Sequence, residues 1–260
     1  MIPAPVTTEV LVAVCTYNEA ANVEELVQRV VAAIPDCHLL IVDDDSPDGT
    51  GKWVQHAMQK EPRLKLIVRR GQRGLGGATR TALQYAVDHA YAFVLNLDGD
   101  LSHDPDALPA MLDVARQCSD VDVVVGSRYT KSGTIQGWPL RRRLMSRVVN
   151  RFATLVLRLP VSDCSGSIRC YRVDALAKLD PRTLQSESYA ILEEILVRLR
   201  NQGAKMVEVP IQFIDRAQGS SKLTTKETLR SAWQLIGVAM RSRTPQPTGS
   251  QSKAHPIKDQ

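Results

Sequence analysis

The sequence predicts an α/β chain with a mostly parallel sheet flanked by helices, and three observations carry that expectation. Short β-branched runs, almost continuously apolar, alternate with segments whose apolar residues recur at helical spacing through the first half of the chain. Polar and acidic residues cluster directly after those runs. The 260 residues are 43% hydrophobic and 23% charged, a composition that can bury a sizeable core.

The expected strands are Val10–Val14, His38–Val42, Leu64–Val68, Phe93–Leu97 and Val121–Val125. After the first, Val23, Val27, Val30, Val31 and Ile34 repeat at helical spacing; after the third, Leu75, Ala78, Ala82, Tyr85 and Ala86 do so. Asp104-Pro105 is an N-cap and first-turn pair that opens the next helix. This βαβ alternation predicts parallel pairing. Such sheets bind ligands at the carboxyl ends of their strands.

The second half has a different pattern. From Arg141 to Leu159, the apolar residues Leu144, Val148, Phe152, Leu155 and Leu159 share one helical face, with Arg143, Arg147, Arg151 and Arg158 on a neighbouring stripe. The pattern suits a helix lying on a membrane surface, or one packed on the core with a solvated basic edge. A second such helix, about 224–241, carries Leu229, Trp233, Ile236 and Met240 in register and is open to the same two readings. Residues 244–260 are nearly devoid of apolar side chains and are expected to be a disordered tail after one domain spanning 1–243.

A net charge of +5 points to an anionic partner such as a phosphate ligand or a membrane surface. With 5% aromatic residues and no recognised binding motif, nucleic acid is not expected. Five scattered cysteines without a C-x-x-C pair indicate neither a disulfide framework nor a zinc site, and suit a reducing, cytoplasmic setting. Residues 1–9 lack a signal-peptide pattern and no apolar run approaches about 18 residues, so the expectation is a soluble or peripheral protein.

Three strand ends carry the chemistry: Thr16-Tyr17-Asn18-Glu19, Asp43-Asp44-Asp45 and Asp98-Gly99-Asp100. Two carboxylates one residue apart are hard oxygen ligands of the kind that hold Mg2+ or Mn2+, with glycine permitting close approach; a plain Asp turn has the same spelling. Carboxylates in the second cluster can accept from base N–H groups and ribose hydroxyls, while Asp45 and Asp48 suit turn formation and capping. The basic, glycine-rich turn Arg69–Gly77 either approaches an anion with its N–H groups or packs a helix tightly; it follows the third strand and lacks the G-x-G-x-x-G spacing of a dinucleotide fingerprint. Arg128, Arg142, Arg216 and Lys222 are candidate anion ligands, because arginine grips phosphate oxygens bidentately. Glu193 and Glu194 either touch a substrate or form a pair on a helix surface.

Six ordered segments together resemble family-2 glycosyltransferases of the GT-A nucleotide-sugar fold, and within them the dolichyl-phosphate (polyprenyl-phosphate) mannosyltransferases. They are Cys15–Glu19, Val42–Thr50, Leu97–His103, Gly126–Tyr129, Ser162–Ser167 and Phe213–Leu223, covering roughly residues 9 to 240. The resemblance implies that Cys15, Tyr17, Glu19, Val42 and Asp44 surround the nucleotide, with Asp43 adjacent. It implies that Asp98, Gly99 and Asp100 line the diphosphate, with Asp98 and Asp100 on a Mg2+ or Mn2+ ion. Arg128, Arg216 and Lys222 would gather the donor and acceptor phosphates, joined on the acceptor side by Arg142; catalysis would fall to Asp100, Arg128 and Arg216. The chain departs from the family in having Cys15 for the usual proline, Gly99 for the usual alanine, and Ser102 where some members supply a glutamine near the metal. Some members also carry C-terminal membrane spans, which are not seen here, so docking through a basic amphipathic surface or an anchoring partner subunit is expected.

The implied reaction is inverting transfer of mannose from GDP-mannose to a polyprenyl (dolichyl) phosphate at the cytoplasmic face of a membrane. The rivals are a polyprenyl-phosphate glucosyltransferase, another lipid-phosphate glycosyltransferase, and a non-catalytic protein whose basic face holds anionic lipid or nucleic acid.

Overall fold

The computed structural model describes residues 8–215. Arg216, Lys222, the helix expected over 224–241 and the tail expected over 244–260 lie outside them.

Five apolar runs form strands close to those expected: β1 Val10–Thr16, β2 Cys37–Asp43, β3 Leu64–Val68, β4 Phe93–Asp98 and β5 Val123–Ser127. Four further strands are β6 Thr134–Gln136, β7 Arg169–Arg172, β8 Met206–Pro210 and β9 Gln212–Ile214. Seven strands make one sheet in the order β3-β2-β1-β4-β7-β5-β8, and β6 pairs with β9 separately. All neighbours in the large sheet are parallel except β7, which runs antiparallel between β4 and β5. The expectation of a mostly parallel sheet flanked by helices holds.

The helices are α1 Val23–Ala33, α2 Thr50–Ala57, α3 Leu75–Asp88, α4 Leu108–Gln117, α5 Leu140–Val156, α6 Val173–Leu179 and α7 Ala190–Asn201. Because successive residues of a strand face opposite ways, β1 feeds two cores. Leu11 and Ala13 pack with residues of α3, α6 and α7, while Val10, Val12 and Val14 pack with α1 and α4. Each fully buried Val or Leu contributes roughly 1.5–3 kcal/mol, which fixes the strand register.

That register positions the site. Cys15 pairs with Val42 on one side and Asp98 on the other, and Thr16 pairs with Asp43. The chain runs from β1 out to β3 and returns on the other side of β1 with β4, so the switch point of the sheet lies where the acidic strand ends meet.

Candidate active site

Asp98 closes β4 with its carboxylate about a quarter exposed, whereas Asp100 is buried. Ser102 donates to Asp100 Oδ1 from its backbone N at 3.0 Å and from its hydroxyl at 2.6 Å, and Leu101 takes a left-handed φ of 59° to close that turn. The serine that stands where some family members have a glutamine therefore orients Asp100. At Gly99 a Cβ would come within 3.1 Å of Thr16 Cγ2 and 3.3 Å of Glu19 Cγ, so the loop lies directly beneath the β1 turn.

Asp43 and Asp44 divide their duties. Asp43 accepts from Thr16 Oγ1 at 2.8 Å, Ser46 N at 2.8 Å and Ser46 Oγ at 2.6 Å, and so ties the loop after β2 to the end of β1. Asp44 forms a 2.6 Å ion pair with Arg69 and accepts from Gly74 N at 2.8 Å. Asp48, expected as a turn former, accepts from Thr50 N at 3.0 Å, Thr50 Oγ1 at 2.6 Å and Ala20 N at 2.9 Å. The Val42 side chain lies in the core. Burial pushes the Cys15 thiol up to about 12, which leaves it neutral beside Thr79. Tyr17 is partly exposed, with the Arg73 guanidinium 4.8 Å from its ring centroid.

The glycine-rich turn is a packing device. A Cβ on Gly76 would sit 2.0 Å from the Ser186 carbonyl oxygen, and one on Gly77 would sit 2.2 Å from Arg69 Nη2. These two glycines let the start of α3 slide between residues 186–187 and the Arg69–Asp44 pair.

Arg128 is buried, with Nε 2.7 Å and Nη2 2.8 Å from the two carboxylate oxygens of Asp163 and Nη2 also 2.8 Å from Ser165 Oγ. Burial works against both charges, but the pairing outweighs it, raising the Arg128 value and holding Asp163 below the usual carboxylate range. Nε and Nη2 are thus committed to the 163–165 loop, and two of the groups that would grip a free phosphate are already spoken for. Glu208 anchors that loop further, accepting from Ser162 Oγ at 2.8 Å and Asp163 N at 3.1 Å.

His103 joins the two halves. Its Nδ1 is 3.6 Å from Asp98 Oδ2 and 3.4 Å from Ser167 Oγ. Its ring meets Phe213 edge-on at 5.3 Å, and Phe213 in turn underlies Arg128 at 5.4 Å and contacts Trp138 at 5.1 Å. Burial keeps His103 below its ordinary value despite the carboxylates of Asp98, Asp100 and Asp163 around it. Arg142 stacks over Trp138 at 4.0 Å and pairs with Asp215 at 3.1 Å. The structure thus gathers Asp98, Asp100, Arg128 and Arg142 around one centre built on His103 and Phe213, with the Asp44 side joined to it through β1.

Both Glu193 and Glu194 are buried, so the reading in which they form a pair on a helix surface is corrected. Glu194 accepts from Ser186 N at 2.8 Å and pairs with Arg198 at 2.9 Å. Burial raises Glu193 to about 7.

The surface of α5 is inverted. Leu144 (62%), Val148 (60%), Phe152 (55%) and Leu155 (60%) are exposed, and the buried residues of the helix are Asn150, Ala153 and Thr154. The reading in which this apolar face packs on the core is therefore corrected; of the five residues assigned to it, only Leu159, beyond the helix, is buried. Among the described residues no helix is long and apolar enough to cross a membrane.

Sequence reasoning gave no role to Arg69, His103, Asn150, Asp163 or Glu208. His103 and Asp163 stand inside the segments Leu97–His103 and Ser162–Ser167, the signal that was available for them.

A mostly parallel sheet covered on both faces, with acidic loops at its switch point, is the architecture of α/β proteins that bind a ligand beyond the strand ends. Residues 11–180 match the family model for glycosyl transferase family 2, and the chain belongs to that family. It is 33% identical to a polyprenol monophosphomannose synthase of Mycolicibacterium smegmatis, over 91% of this chain and 89% of that protein. It is also 33% identical to an undecaprenyl-phosphate mannosyltransferase of Micrococcus luteus, over 83% of this chain and 87% of that one. Among solved structures it resembles a mannosyltransferase of Pyrobaculum calidifontis in complex with GDP-Man and Mn2+, with a TM-score of 0.60 and 20% identity, covering 94% of this chain and 68% of the other. The protein is a glycosyltransferase with the GT-A type of fold.

Proposed function

We propose that this glycosyltransferase moves mannose from GDP-mannose to a polyprenyl phosphate with inversion, giving polyprenyl-phosphate β-mannose. The observation that carries the reading is α5: a helix whose apolar face is exposed and whose flank is arginine-rich begins directly after Trp138, which packs against Phe213 beneath Arg128. A surface of that kind suits an acceptor that is a lipid at one end and a phosphate at the other. The names of both relatives, each at 33% identity, support the same acceptor class.

A phosphate acceptor is ionised at neutral pH and needs no general base. What the chain must supply is alignment and compensation of charge. Asp44, oriented by Arg69, accepts from the base; Tyr17 and Glu19 flank the nucleotide; Arg128, Arg142, Arg216 and Lys222 collect the phosphates.

Asp98 and Asp100 suit a divalent ion. They are hard oxygen donors one residue apart, Asp100 is pre-oriented by Ser102, and the Asp98 carboxylate is partly exposed. No group of three His, Cys, Asp or Glu side chains suited to a metal occurs among the described residues, which fits an ion held partly by water and substrate phosphates. Mg2+ or Mn2+ there would supply positive charge to the departing diphosphate. The protein works peripherally at the cytoplasmic face of a membrane, through α5 and, where present, an anchoring partner subunit.

Purified protein incubated with radiolabelled GDP-mannose, Mn2+ and undecaprenyl phosphate should yield labelled lipid. Label entering lipid from a UDP-glucose donor and not from GDP-mannose would overturn the sugar assignment, and no labelled lipid from any donor would overturn the acceptor.

A further inference from the structure

We propose that Asn150 is a positioning residue that registers the lipid-facing helix α5 on the Arg128 guanidinium, so that an acceptor carried by the helix meets the site in one alignment. This rests on the lipid-phosphate reading above.

An amide 3% exposed is costly to bury unless its groups are bonded. Asn150 Oδ1 accepts from Cys164 N at 3.2 Å, and Nδ2 donates to Ser165 Oγ at 3.0 Å, to Tyr129 Oη at 3.4 Å and to the Ser146 carbonyl at 3.3 Å. Ser165 Oγ also receives Arg128 Nη2 at 2.8 Å. One side chain of α5 is thus two hydrogen bonds from Arg128, while it holds the loop whose Asp163 neutralises that arginine.

A second, shorter connection runs alongside. Tyr129 follows Arg128 in the chain, and its hydroxyl lies 2.6 Å from Ser146 Oγ on α5. The other buried residues of the helix give little register: Ala153 offers only packing, and the Thr154 hydroxyl turns back to the Arg151 carbonyl of its own helix. Apolar contacts are non-directional. The amide, which donates and accepts from one planar group, is directional. An aspartate of the same size keeps the acceptor for Cys164 N and loses the donor to Ser165 and Tyr129.

The test compares two acceptors in wild type, Asn150→Asp and Tyr129→Phe: undecaprenyl phosphate in anionic vesicles, and citronellyl phosphate free in solution. A short acceptor reaches the site without the helix. For Asn150→Asp, kcat/KM with the vesicle-borne acceptor should fall about tenfold or more. It should fall less than about threefold with the short acceptor, and GDP affinity should be unchanged. Tyr129→Phe should shift the same ratio by about threefold, and decides alone if Asn150→Asp does not fold. Equal falls for both acceptors would make Asn150 a purely structural residue and overturn the proposal, as would no fall. If wild type labels neither acceptor, the lipid-phosphate reading falls and takes this inference with it; if wild type labels both and the ratio does not move, only the inference falls.

Discussion

Asp98 and Asp100 are one residue apart yet differently held: Asp98 lies partly open beside His103, and Asp100 is clamped by both polar groups of Ser102. Replacing either with asparagine keeps the shape and removes the charge. Transfer should drop at least about 100-fold in each variant, with an unchanged melting temperature; loss of the fold instead would mean that the carboxylates serve the turn. Glu193 gives a prediction about pH. Its value is raised from the ordinary 4.5 to about 7 by burial, so between those values the folded protein holds a proton that the unfolded chain releases. Stability from this group is full below about pH 4.5 and is lost as pH rises through about 7, by up to about 3 kcal/mol. Glu193→Gln should therefore gain on wild type as pH rises from 5 to 8 in thermal melts, and parallel curves would refute the assignment. The acids Asp44, Asp98 and Asp100 were legible because the ends of β2 and β4 spelled them out. The roles of Asp163 and His103 were not, although both stand in segments that carry the resemblance: Asp163 meets Arg128, 35 residues away, and His103 meets Ser167 and Phe213 only in the folded chain.

At the scale of elements, α5 reverses the usual rule of burial. Changing Leu144, Val148 and Phe152 together to serine should abolish sedimentation with anionic vesicles, while the melting temperature holds or rises, since these side chains are exposed in the fold. A large fall in melting temperature would place them in a packed interface. Periodicity predicted this helix within a few residues, yet could not say which way its apolar face points: Leu144 and Val148 look alike in sequence whether they meet a core or a lipid. Strands β1 to β4 were legible as nearly continuous apolar runs. β7 was hidden, because Arg-Cys-Tyr-Arg is no such run; Arg169 is nevertheless fully buried, its guanidinium donating to the carbonyls of Leu192 and Cys164 at 2.6 Å. The glycine-rich turn left two readings open until the contacts of Gly76 and Gly77 decided for packing.

For the whole molecule, ligand binding should appear as stability. GDP with Mn2+ at about 100 times its dissociation constant should stabilise the protein by about 2.7 kcal/mol, a rise of roughly 5–10 °C in melting temperature. Chelation with EDTA should erase most of that rise; an equal rise without any divalent ion would remove the metal from the donor site. The antiparallel strand β7 has a consequence for how the chain assembles. Among the described residues, strands β4 and β5 follow one another in sequence but do not pair, and the strand that joins them is supplied more than forty residues later. During synthesis, β4 and β5 are joined through α4, which packs on both, but each shows a raw edge until Arg172 has left the ribosome. The edge beside the acidic loops is therefore closed in one late step, when β7 enters between β4 and β5.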